Sequence, residues 1–520
     1  MLYLVCCIFI GTIYLFFNQP FVNAVFFNNM FVFSDTILKI KLLLLVFGLL
    51  VLLGTVAYLF RFGIYVFEYF ILFGFSIFAM LLLVSSNDLL SFYLSIELQS
   101  FCFYLLATLH RTNNLSTEAG LKYFLLGAIS SGILLFGISI IYGIFGTTNL
   151  EDCLQLSVTM NVNSDAYFFG VLLGIIFLLS GVLFKMSAAP FHMWVPDVYQ
   201  GAPTAVTLLF ATVPKIAIIF MCWRIFVECF EAYNYFWENL IFGSIILSNI
   251  IGSFGALVQK NIKRFLAFSS INHVSFLLVG ILVHSVESLQ SMWFYLFYYL
   301  LMVIGTFLFF MHTVYKQVPN KLFALETSNK QLVFIYDLQG LFSIYSVQAF
   351  VFFSILFSFA GMPPLAGFFS KFFLLWSAII AKYYVLVCLL LLSTLLSAFY
   401  YIRFLKIMYF SNIKQAWPVF VQVDYLNSWL LVTIFFCIYF FYVSPNIFLF
   451  TAYLVGVLAR EFLLFHCIFL LWAFQKFCLN VVLKNFLWQK KILNGFLVGL
   501  LFLLNKINLL QIFLHEKLQY

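Results

Sequence analysis

The chain has 520 residues, of which 65% are hydrophobic and 8% charged, and its mean hydropathy is +1.11. Soluble domains carry about 25% charged residues, so a soluble globular fold is excluded and an all-α polytopic membrane protein is expected. The net charge of +8 lies in short loops between apolar runs and reads as loop bias rather than as a nucleic-acid footprint.

The ten cysteines form no CxxC pair, and only Cys6 and Cys7 adjoin, which argues against zinc, iron–sulfur and disulfide frameworks. No GxGxxG, Walker A or HExxH pattern occurs, so neither a nucleotide site nor hydrolytic chemistry is expected.

The opening MLYLVCCIFIGTIYLFF lacks the basic n-region of a secretory signal and reads as a first span at 2–17. A doubtful run at 21–33, containing Asn23, Asn28 and Asn29, and a clear one at 37–60 complete an N-terminal region, 1–65. Five runs follow at 66–86, 89–109, 121–146, 166–199 and 201–227, then five more at 237–258, 265–284, 292–315, 346–379 and 383–409. In each set the fourth run is too long for one straight span and is interrupted, first by Ala188-Ala189-Pro190, then by Gly361-Met362-Pro363-Pro364 and Gly367. Corresponding broken helices are the mark of a transport site built from repeats. Because five is odd, the second set enters from the opposite side. The spacing therefore predicts two inverted five-helix repeats, 66–227 and 237–409, with two broken helices. A C-terminal region, 428–520, starts with a span at 428–450. Two further runs lie at 452–475, interrupted by Arg460 and Glu461, and at 492–513. A surface amphipathic helix competes with a span as the reading of that tail.

Let side A be where helix 66–86 starts. Side A then receives Arg61, Arg111, Lys260, Lys263, Arg264, Lys316, Lys321, Lys406 and Lys414, while side B receives Glu151, Asp152, Asp165, Glu228, Glu231, Glu238 and Glu287. Arg224 and Lys382 are the exceptions. The positive-inside rule makes side A cytoplasmic in a bacterium and matrix-facing in a mitochondrion.

Four ionisable residues fall inside long apolar runs: Glu97, Lys185, Lys215 and Lys371. A charge at mid-bilayer costs about 2.5–3.5 kcal/mol on the insertion scale, so such groups face a protein-lined polar path. Lys185 precedes the first interruption and is the candidate partner of Glu97; Lys215 occupies the next helix. Lys371 follows the second interruption, in the half nearer side B, where a hydrated cavity is expected. Buried lysines lose protons readily, so the row reads as a proton relay. Snorkelling to the headgroups is the competing reading, strongest for Lys185. His192, His273, His284, His312 and His466 are either proton stepping stones or interhelical hydrogen-bonders, with His192 and His273 the candidates for an accessory path. Glu118 and Lys122 read as a simple i,i+4 pair.

Several stretches resemble one family: YLSIELQSFCFYLLA (93–107), STEAGLKYFLLGAISSGILLFG (116–137), FKMSAAPFHMWVPDVYQGAPTAV (184–206), IKRFLAFSSINHVSFLLVG (262–280) and FAGMPPLAGFFSKF (359–372). These are similar to the antiporter-like membrane subunits of respiratory complex I over roughly 60–450. The resemblance implies about fourteen transmembrane helices containing the two inverted repeats. It also implies that Glu97 pairs with Lys185, that Lys215 is the central lysine, and that Lys371 is the lysine of the second broken helix. It further implies proton pumping as part of an NADH:ubiquinone reductase, in the mitochondrial inner membrane, alongside other membrane-arm subunits and lipids. NADH, FMN, iron–sulfur clusters and ubiquinone would be bound by those other subunits, with no cofactor in this chain and no nucleic-acid partner. A subunit of an Mrp-type cation/proton antiporter is the alternative, and a scaffold without transport is the other; the retained charges speak against the scaffold.

Overall fold

A computed structural model describes residues 2–19, 23–63, 67–160, 165–316, 329–363, 365–411, 419–421 and 425–443. The expected runs at 452–475 and 492–513, together with Arg460, Glu461, His466 and Pro364, lie outside these residues. Backbone polar groups have no water partner in hydrocarbon, so the apolar runs satisfy them internally as helices. Among the described residues, ten helices are long and apolar enough to cross a membrane.

In chain order the elements begin with α1 (Leu2–Asn18), β1 (Ala24–Phe26), β2 (Phe31–Phe33), α2 (Asp35–Arg61), α3 (Phe67–Ser85), α4 (Leu89–Ala107), α5 (Asn114–Phe145) and α6 (Leu150–Met160). The expected span at 21–33 is not one: β1 and β2 pair antiparallel as a hairpin. Its turn holds Phe27, Asn28 and Asn29 at φ of 53, 51 and 67°, a left-handed conformation that Asn tolerates. Asp88 and Asn113 cap α4 and α5, accepting from the backbone N–H of Leu90 and Leu115. The short helix α6, between α5 and the next long helix, was not anticipated.

The first interruption separates α7 (Asp165–Met186) from α8 (Trp194–Gly201). The next expected span is itself divided, into α9 (Thr204–Ala211), α10 (Val213–Cys222) and a π-helical turn at Trp223–Cys229. Pro214 has no N–H to offer the carbonyl of Phe210, and the N–H of Lys215 bonds Thr212 instead of Ala211. A third break therefore lies three residues before Lys215, where continuous helix was expected.

The second set comprises α11 (Asn234–Val258), α12 (Ile262–Val283), α13 (Val286–His312), α14 (Leu341–Ile344), α15 (Ser346–Ala360), α16 (Ala366–Ile380) and α17 (Tyr384–Phe410), followed by α18 (Tyr425–Val443). A small antiparallel sheet, order β4-β3-β5, joins β3 (Thr313–Lys316), β4 (Asn329–Gln331) and β5 (Val419–Val421). The second interruption is shaped by two glycines. Gly361 ends α15 at φ 82°, and a Cβ on Gly367 would lie 1.8 Å from the Ser358 carbonyl oxygen, so only glycine lets α16 start this close to α15.

Burial separates a centre from a periphery. The apolar windows of Thr204–Cys229, α12 and α13 are 100, 94 and 89% buried, against 33 and 39% for α5 and α17. Helices buried all round form the middle of a bundle, whereas α5 and α17 turn most of their surface outwards. Arg224, an exception to the loop-charge rule, is folded into a helix-end network: it donates to the carbonyl of Ser86 (2.6 Å) and to Asn87 Oδ1 (2.9 Å), with Glu228 at 3.6 Å.

Candidate functional site

All four charged candidates lie on helices that adjoin a break or pack beside one. Glu97 sits mid-way along α4, half-buried, and its Oε2 accepts from Ser100 Oγ at 3.5 Å. Lys185 occupies the last turn of α7. The expected direct pair is not formed in this structure, since Glu97 Oε1 and Lys185 Nζ are both buried without a hydrogen-bond partner. Glu97 is nonetheless close enough to act on the lysine electrostatically. Between the helices lies a cavity of about 20 Å³, lined by Lys185, Gln99, Ser100, Tyr123, Trp194 and Pro214. That volume is room for a single water molecule. Gln99, whose Oε1 is buried and unpartnered, lines the same cavity, so two residues with unpartnered polar atoms flank one water-sized space.

The first break withholds its own acceptors from Lys185. The Trp194 indole N–H donates to the Phe184 carbonyl at 3.0 Å, and the backbone N–H of Ala188 takes the Leu183 carbonyl at 3.0 Å. The second break does the opposite. Lys371 is 5% exposed, and its Nζ donates to the freed carbonyls of Phe359 (2.7 Å) and Ala360 (3.3 Å). A hydrated cavity opening to side B was expected around Lys371; instead the ammonium turns back onto the break, where desolvated carbonyl dipoles stabilise it.

Lys215, 3% exposed, donates from Nζ to the hydroxyl of Tyr299 at 2.7 Å, and that hydroxyl reaches the freed Ala211 carbonyl at 3.5 Å. The lysine also stands 4.8 Å from the Tyr299 ring centroid. His273 lies between the two inner lysines. Its Nδ1 is 2.6 Å from Tyr295 Oη and its Nε2 is 3.3 Å from Tyr401 Oη, with the tautomer deciding which nitrogen donates. Its ring contacts those of Tyr299 and Phe359 at centroid distances of 5.3 and 5.0 Å, and both Lys215 and Lys371 act on it electrostatically. The structure thus brings Lys215, His273 and Lys371 into one buried cluster. His192 lies in the first break, 5% exposed, with Nδ1 unpartnered, and it bonds none of these groups. His284 instead faces Glu238 at 3.6 Å.

The expected Glu118–Lys122 pair is present at 2.7 Å and is larger than anticipated: Lys122 and Arg264 each reach Asp197 at 3.1 Å. This half-exposed network ties α8 to α5 and α12; its individual pairs contribute little energy.

Sequence reasoning missed Gln99, Tyr295, Tyr299 and Tyr401. One signal was present: Tyr295 and Tyr299 stand four apart in the run WFYLFYYLLM and so share a helix face.

With this geometry the chain compares directly with known proteins. A family profile described as NADH:quinone oxidoreductase/Mrp antiporter, TM, matches residues 86–397. NADH-ubiquinone oxidoreductase chain 2 of Marchantia polymorpha is 41% identical over 387 residues, 74% of this chain and 76% of that one. NADH-quinone oxidoreductase subunit N of Rhodospirillum rubrum is 41% identical over 389 residues, 75% of this chain and 77% of that one. Among solved structures, respiratory complex I from Thermus thermophilus with bound aureothin aligns at a TM-score of 0.68 and 26% identity, covering 85% of this chain and 90% of its counterpart. The Mrp complex from a Dietzia species aligns at 0.66 and 19% identity, covering 79 and 74%, a likeness of fold alone. The protein is a multi-pass membrane protein of the antiporter-like class. It belongs to the NADH:quinone oxidoreductase/Mrp antiporter transmembrane family.

Proposed function

We propose that the chain is the proton-translocating antiporter-like membrane subunit of respiratory complex I, a subunit of the NADH:ubiquinone reductase that does no redox chemistry itself. The observation that carries this reading is the placement of three lysines at three helix breaks, with Lys215 and Lys371 converging on His273 in the bundle centre. A buried ammonium held by freed carbonyls or a hydroxyl can be loaded and unloaded by moving one neighbouring charge. Curated relatives at 41% identity are named as complex I subunits, and the complex I structure is 26% identical against 19% for the Mrp structure, which favours this reading over an Mrp-type antiporter.

In this reading Glu97 and Lys185 form the first station, with Ser100, which bonds Glu97, and Lys185 both lining the water-sized cavity. Lys215 is the central station, His273 the connector, and Lys371 the last; His192 is an accessory group at the first break. Two inverted five-helix repeats, 66–227 and 237–409, lie within about fourteen crossing helices. Glu97 and His273 then occupy the second helix of each repeat. Flavin, iron–sulfur, nicotinamide and quinone sites belong to other subunits, neighbouring membrane-arm subunits flank this one, and the membrane is the mitochondrial inner membrane. Replacing Lys215 by Ala removes an insertion penalty, so the complex should assemble while its NADH-driven proton pumping falls strongly. Full pumping by normally assembled Lys215→Ala complex would overturn the relay.

A further inference from the structure

We propose that Tyr299 is the positioning residue that latches Lys215 towards the second half of the path, and that release of this latch turns the lysine to the Lys185 side. The inference rests on the relay reading above.

The geometry is specific to one hydroxyl. Tyr299 is fully buried on α13, accepts the Lys215 N–H at 2.7 Å and donates to the Ala211 carbonyl at 3.5 Å. The third break exists at that carbonyl because Pro214 interrupts the helix. One phenol thus joins the lysine to the dipole freed by its own helix break. Lys371 reaches its freed carbonyls directly; Lys215 reaches its own only through Tyr299.

The latch is also poised rather than saturated. An ammonium has three N–H donors, and among the described residues Tyr299 is the only hydrogen-bond partner of the Lys215 Nζ. The other direction leads towards the first break. Pro214 and Ile218, on either side of Lys215 on α10, line the cavity that holds the Lys185 ammonium. In the released state the flexible four-carbon stem turns Nζ from Tyr299 towards that cavity. On the other face, the Tyr299 ring lies against His273, so the latched lysine is held towards the connector. In the latched state a proton stays on the lysine Nζ. On release the N–H···O bond breaks, the Tyr299 hydroxyl keeps its own proton, and Nζ carries its proton to the other side.

The test uses the assembled complex in inside-out membrane vesicles. Tyr299→Phe keeps the ring, its volume and its contact with the ammonium, and removes only the hydroxyl. Loss of one charge-assisted hydrogen bond should lower NADH-driven proton uptake about tenfold, with assembly and uncoupled NADH oxidation retained. Tyr298→Phe, one residue away on the same helix, should leave uptake unchanged. A second readout is independent of any variant's folding. Infrared difference spectra of wild-type complex carrying ring-labelled tyrosine should show a phenol C–O band that responds to turnover. Unchanged uptake in Tyr299→Phe, an equal loss in Tyr298→Phe, or no responding tyrosine band would overturn the latch. Should Lys215→Ala pump normally, the relay falls as well; should it fail to pump while Tyr299→Phe pumps normally, the latch alone falls.

Discussion

The two broken long helices look alike in sequence and behave oppositely in the folded chain. At the second break the backbone leaves the Phe359 and Ala360 carbonyls free, and Lys371 occupies both. At the first break Trp194 and Ala188 consume the Phe184 and Leu183 carbonyls, so Lys185 is left facing a water-sized cavity. A break does not of itself stabilise a neighbouring lysine. What matters is which groups take the acceptors it frees. The result is one ammonium held by protein carbonyls and one without a hydrogen-bond partner beside a water-sized cavity.

The largest effect should come from closing the second break. Any side chain at Gly367 meets the Ser358 carbonyl at 1.8 Å, so Gly367→Ala should destabilise the region by about 3 kcal/mol, the upper end for overpacking, and lower the yield of assembled complex. Thermal denaturation of the purified complex measures this; an unchanged midpoint would contradict the close approach of α16 to α15.

Next comes the contrast between the lysines. Lys371→Met strands two buried carbonyls and should cost about 1–3 kcal/mol. Lys185→Met removes an ammonium with no direct partner and should be neutral or stabilising. Both should lose pumping. Equal destabilisation by the two substitutions, measured by denaturant titration, would erase the distinction drawn between the breaks.

The smallest effect sharpens the first break itself. Trp194→Phe removes the indole donor from the Phe184 carbonyl, which keeps the Ser187 N–H at 3.1 Å and gains room for a second donor such as the Lys185 ammonium. It should cost only about 1 kcal/mol yet reduce pumping, because the first lysine becomes parked like the last. Pumping at the wild-type rate would show that the Phe184 carbonyl does not capture Lys185.

Much of this fold is written in hydropathy. The long helices α3, α4, α11, α12 and α17 fall within a few residues of the runs that predict them, because the membrane imposes a minimum apolar length. Both long-helix breaks were legible in Pro and Gly. The break before Lys215 was missed although Pro214 stands beside the lysine, since an apolar run of the right length conceals a one-residue kink. The N-terminal hairpin was mistaken for a weak span because Phe-rich strands and helices are equally apolar. The four charged candidates stood out because each carries an insertion penalty. The tyrosines were not: among 29 tyrosines and 73 phenylalanines, a hydroxyl that matters looks like any other aromatic. Only the buried α12–α13 packing singles out Tyr295 and Tyr299.

In the proposed relay the first break passes protons between Glu97 and Lys185 without a direct ion pair, since neither Glu97 Oε1 nor Lys185 Nζ has a hydrogen-bond partner. A double-mutant cycle on NADH-driven pumping, with Glu97→Gln, Lys185→Met and both together, tests it most directly. Groups that share one relay step should couple by about 0.5–3 kcal/mol, so the double variant should pump little worse than either single one. Additive losses would mean that the two residues act separately, and the relay through the first break would have to be abandoned.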